Sequence, residues 1–161
     1  MHSFFKIVQF ISDKLKIIGA ASMVGMAALT CVDVVGRKLG HPVFGSVELV
    51  TFMGVFAVAM ALPFTHDTNG HIGVEIFVTK LSRKKRAMVD VITSIASFLL
   101  FAILTWQMFG YAFKMRDSGE VSMNLQLPEY MIIFIVACCF AVFSAVIVKR
   151  IFELFAKLRA K

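Results

Sequence analysis

Asp33, Arg37 and Glu48 are the residues best placed to do chemistry, because they share the short stretch DVVGRKLGHPVFGSVE between two long uncharged runs. Asp33 and Arg37 are four apart with the acid first, the spacing and order that put an ion pair on one helical face. Glu48 opens the second run, where a carboxylate complements the positive end of a helix, and the connecting loop is short enough for Arg37 to reach it too. A cluster of this kind beside a bilayer has two readings. It could line an ion or substrate path, since ionisable groups inside a membrane are costly and are kept for function. It could equally be a polar clamp that fixes a hairpin or meets a partner. Its place at the rim, where the cost of a charge is small, favours the clamp.

The other reactive residue types are scattered. His2, His41, His66 and His71 fall at the ends of apolar runs or between them, so no pair of axial ligands for a haem lies inside a bundle. Cys31, Cys138 and Cys139 lie within apolar runs without metal-ligand or redox spacing and read as small hydrophobes. The chain has no Gly-rich phosphate loop, nucleophile elbow or H-E-x-x-H pattern. No ionisable residue stands in the middle of an apolar run, where a proton-coupled exporter would hold a titrating carboxylate. None of the runs is broken by Gly and Pro at its centre, as a secondary transporter's often is. The expectation is therefore a protein with no catalytic, substrate-binding or metal residue and no cofactor, and not an enzyme.

The elements that carry these residues are membrane helices. Of 161 residues, 59% are hydrophobic and 17% charged, and the mean hydropathy of +0.84 is beyond a soluble domain of this length. Uncharged runs cover Ile17–Val32, Leu49–Thr65, Val91–Phe113 and Tyr130–Val148. Extended by a turn at their charged ends, they give spans near 16–38, 46–66, 87–113 and 128–149, each long enough for a hydrocarbon core of about 30 Å. The fold class is an all-α membrane protein with four transmembrane helices in one integral membrane domain. Basic residues set its orientation. Thirteen of them lie before the first span, between spans two and three, or after span four; only Arg37, Lys38, Lys114 and Arg116 lie on the other side. The positive-inside rule then places both termini in the cytoplasm. A net charge of +7 distributed in this way belongs to topology and not to nucleic acid. The first run has a basic flank but no small-residue cleavage pattern, and it reads as an uncleaved anchor.

Around the spans lie two amphipathic stretches. Residues 3–15 place Phe4, Ile7, Val8, Ile11 and Leu15 at helical spacing; this is either an interfacial arm or a prolongation of the first span. Residues 71–83 predict an interfacial helix, followed by Arg83, Lys84, Lys85 and Arg86 among lipid headgroups. Small residues mark close-packing faces: Ala21 with Gly25; Gly54, Ala57 and Ala61; and Ala137, Ala141 and Ala145. Pro63 should kink or end the second span, and Pro128 suits the first turn of the fourth. Lys114 to Leu127 reads as a plain hydrated loop.

Taken together, these residues resemble the small membrane subunit of tripartite ATP-independent periplasmic (TRAP) transporters, the DctQ-like family. The likeness covers essentially the whole length and is densest over 33–77. It rests on a first span ending in Asp33, Val34 and Arg37, and on Glu48 opening a small-residue-rich second span. His71, followed by Ile72, Val74 and Ile76, completes the pattern. Where many members carry a doubled acid, this chain has Val47 before Glu48. The resemblance implies a non-catalytic subunit in a bacterial inner membrane. Its partners would be a large multi-span permease that moves sodium and an organic acid by an elevator-like motion, a periplasmic solute-binding protein, and membrane lipids. Asp33, Arg37, Glu48 and His71 become structural or subunit-interface candidates. The rival readings are an autonomous four-span homodimeric transporter and a haem-carrying subunit of a redox complex.

Overall fold

The computed structural model describes residues 2–67 and 83–159. They form four long helices, α1 (His2–Lys38), α2 (Ser46–Asp67), α3 (Arg83–Ser118) and α4 (Glu129–Arg159). Each contains a segment long and apolar enough to cross a membrane: Lys6–Lys38, Ser46–His66, Met88–Ser118 and Glu129–Phe155. The interfacial stretch 71–83 and His71 lie outside the described residues. Arg83 to Arg86 form the backbone of the opening turn of α3.

Residues 3–15 do not form a separate arm. They are the first turns of α1, which runs unbroken for 37 residues, because no proline interrupts it and its interior glycines are held in the helix by packing. Helix α2 likewise continues past the fully buried Pro63 to Asp67. Proline removes one amide bond, to the carbonyl four residues back, and the helix carries on past it, with Thr65 Oγ1 donating to the Ala61 carbonyl at 3.0 Å across the same turn.

Helix α1 turns a narrow stripe inward. Val8, Leu15, Ser22, Leu29 and Gly36 form one series of buried or half-buried positions, and Ser12, Gly19, Met26 and Asp33 form a second. Both repeat every seven residues, the period that keeps one seam against a neighbour when helices cross at a shallow angle. Helix α3 repeats the device with Ser94, Phe101, Met108 and Met115, interleaved with Phe98, Thr105 and Ala112. Helix α4 buries a wider face that includes Val136, Ala137, Cys139, Phe143, Val146 and Ile147. It is the hub, packing on α1, α2 and α3, whereas α3 packs substantially on α4 alone. A core of Ala59, Met60, Val136 and Cys139, flanked by Leu15, Phe56, Met108 and Phe140, draws on all four helices.

In lipid, helices associate through close contact and not through escape from water, and the α1–α2 seam shows how. A Cβ at Gly19 would lie 3.2 Å from the Ala57 carbonyl oxygen and 3.3 Å from the Met60 Cβ, and Gly54 faces the Met26 sulfur. The small stripe Gly54, Ala57 and Ala61 therefore meets α1 of the same chain. On α1 the partners are Gly19, against Ala57 and Ala61, and Met26, against Gly54, while Gly25 faces Met53 and Ala21 is exposed. The α4 stripe divides, with Ala137 fully buried, Ala145 half-buried and Ala141 exposed.

Candidate functional site

The polar residues of the 33–48 stretch meet at the end of the molecule where α1 turns into α2, called here the hairpin end. Helix α1 stops because Gly40 adopts φ +79°. The His41 amide then donates to the Gly36 carbonyl at 2.8 Å and the Gly40 amide to the Arg37 carbonyl at 3.3 Å, the paired bonds of a Schellman cap. Gly36 permits this reversal, since a Cβ there would fall within 2.5 Å of the His41 carbonyl oxygen.

That turn brings Val43 back over Asp33. The Asp33 carboxylate accepts from Arg37 Nε at 2.8 Å and from the Val43 amide at 3.0 Å. Asp33 is 7% exposed, while the Arg37 side chain remains 56% exposed. The acid is thus the fixed member of the pair, tying the end of α1 to the loop beyond it.

Glu48 takes another route. In the first turn of α2, it reaches the loop between α3 and α4 and not Arg37. Its Oε2 accepts from Ser122 Oγ at 2.9 Å and from the Leu125 amide at 3.0 Å. Its Oε1 accepts from the Asn124 amide at 2.7 Å and from Asn124 Nδ2 at 3.1 Å. A carboxylate offers about four acceptor sites, and these four donors fill them.

The loop itself is shaped to present those donors. Gly119, at φ +68°, ends α3, and an antiparallel bridge pairs Val121 with Pro128. Between them the Ser122 amide donates to the Leu127 carbonyl at 2.9 Å and the Gln126 amide to the Ser122 carbonyl at 3.2 Å. The buried Ser122 hydroxyl also accepts from the Leu127 amide at 3.1 Å. Gln126 holds a left-handed φ of 51°, a conformation that costs a non-glycine residue free energy. Beside the carboxylate, Leu125 packs on Gly45, where a Cβ would fall 2.6 Å from two of its side-chain carbons.

The assembled site is a latch between the two hairpins. Ser122, Asn124, Leu125 and Gly45 belong to it, and sequence reasoning did not single them out. The available signal was a lone acid at the head of an otherwise uncharged span, which needs donors from somewhere; the segment 74 to 77 residues away carried no motif to mark it as the source. Among the described residues, no three His, Cys, Asp or Glu side chains converge as a metal site would require.

A chain with four membrane-crossing helices, whose two rim carboxylates are engaged by its own loops, is a multi-pass helical membrane protein built around internal fastening. Residues 26–157 match the family described as tripartite ATP-independent periplasmic transporters, DctQ component, and the chain belongs to that family, the small component of TRAP transporters. The family implies an inner-membrane location and partnership with a large permease and a periplasmic binding protein. Among curated proteins, none matches the chain.

Proposed function

We propose that this chain is a non-catalytic scaffold subunit, enlarging the stationary part of a large elevator-type permease that takes up an organic acid with sodium. The acid is delivered by the periplasmic binding protein, and both termini of the small subunit lie in the cytoplasm. The observation that carries this reading is the saturation of Glu48. The carboxylate best placed to hold a cation at the membrane rim has all its acceptor capacity taken by Ser122, Asn124 and Leu125. Asp33 is similarly engaged by Arg37 and Val43. The basic residues clustered on the side of the termini support the orientation. In this role Asp33, Arg37 and Glu48 preserve the shape that the permease recognises, and His71 is an interface candidate.

Reconstitution tests it. The chain alone in liposomes is expected to move no organic acid, and adding the permease and binding protein restores sodium-dependent uptake. Arg37→Ala and Glu48→Ala are expected to lower recovery of the assembled complex while leaving substrate affinity of the surviving complexes unchanged. Uptake by the small subunit alone, or intact assembly with altered affinity, overturns the proposal.

A further inference from the structure

At the hairpin end, residues of α3 and α4 line a cleft of about 370 Å³, within the roughly 300–1,000 Å³ range of small-molecule sites. Ala112, Phe113, Phe134 and Ile135 make its walls, and Arg116 and Tyr130 join them. The cleft has two chemistries. The walls are hydrocarbon and lie in the final turns of the α3 span and the first turns of the α4 span. Arg116 is in the last turn of α3, at the level where headgroups begin, and its guanidinium has no counter-ion or hydrogen-bond acceptor among the described residues. The Tyr130 phenol likewise has no hydrogen-bond partner there, and tyrosine is enriched at this depth of a bilayer.

From these features we infer that the α3–α4 cleft is a phospholipid site, with an acyl chain against Phe113, Phe134 and Ile135 and the lipid phosphate on Arg116. A cation above an apolar slot matches an amphiphile whose anion is joined to hydrocarbon. Arginine suits the phosphate because its planar fork of donors can engage two oxygens at once. A partner helix would fill the walls but would need its own acid at the level of Arg116. The lipid needs nothing beyond the membrane already present. The site is independent of the scaffold role, since it is made within one chain.

The test is native mass spectrometry of the full chain released from detergent after equilibration with palmitoyl-oleoyl-phosphatidylglycerol. Diacylglycerol with the same chains and glycerol phosphate without chains serve as separate probes. Wild-type protein is expected to retain phosphatidylglycerol and neither control. Arg116→Gln is expected to weaken retention roughly tenfold, the size of losing one charged hydrogen bond. Met131→Trp, at an exposed position on the rim of the cleft, should weaken it while leaving thermal stability unchanged. Equal retention by wild type and Arg116→Gln overturns the inference, as does equal retention of diacylglycerol. Protection of the cleft by the permease, with lipid excluded from the purified complex, overturns it too and gives the cleft to a protein partner.

Discussion

The two ends of the bundle handle polar groups in opposite ways. At the hairpin end, Asp33 and Glu48 accept six hydrogen bonds between 2.7 and 3.1 Å, three of them from backbone amides. At the end that carries the termini, the lysine contacts among the described residues are longer and come from flexible side chains. Lys149 Nζ lies 3.5 Å from Gln9 Oε1 and 4.0 Å from Glu153, and Lys16 lies 3.9 Å from Asp13 and 3.7 Å above the Phe64 ring. The hydroxyls of Ser12 and Ser144 are buried there with no partner among the described residues. Backbone donors are already ordered by their helices and turns, so fixing a carboxylate against them costs little further entropy. A lysine loses about 1.5–2 kcal/mol of rotamer freedom when held. The hairpin end is thus locked by geometry, while the other end is held by adjustable contacts.

Glu48→Ala strikes this contrast hardest. It leaves the Ser122 hydroxyl and the Asn124 and Leu125 amides without their acceptor and removes the polar latch between the two hairpins, leaving only their apolar packing. It should lower the melting temperature in detergent more than any other single change considered, with faster hydrogen exchange across 121–128. Unchanged exchange in that loop would show the latch to be idle. Gly45→Leu attacks the same fastening from the apolar side. The new side chain must hold a φ of +71° and displace Leu125, a strain of about 1–3 kcal/mol read as reduced stability in the same assay. Ser144→Ala probes the opposite end and should have the smallest effect. Removing a buried hydroxyl that has no partner relieves a desolvation cost, so stability should stay within about 1 kcal/mol of wild type, on the favourable side. A loss well beyond that would mean the two ends are more alike than the distances indicate.

The four spans were legible in the sequence because lipid demands long uncharged runs, and the i,i+4 pairing of Asp33 with Arg37 was legible because it is local. The partners of Glu48 were not. Arg37 lies across a short loop from Glu48, but Asp33 takes its guanidinium, and the donors that satisfy Glu48 come from a loop whose fold depends on Gly119, Gln126 and the Val121–Pro128 bridge. Nothing in the apparently plain composition of that loop discloses the turn. Small-residue stripes were informative about which positions pack, but not about what they meet. Gly54, Ala57 and Ala61 touch α1 of the same chain, and Ala141 of the α4 stripe faces outward. The hub role of α4 left a trace in the sequence, since its span has a mean hydropathy of 3.0 against 1.8 to 2.1 for the other three, but only the packing shows that its wide face meets all three other helices.

Helix α1 has no joint. Its 37 residues make a rod about 55 Å long, nearly twice the thickness of the hydrocarbon it crosses, with Ser12 near one end and Asp33 near the other on a seam of constant pitch. Between the two ends no proline offers a hinge, so a change that moves one of them has no joint within α1 at which to be absorbed.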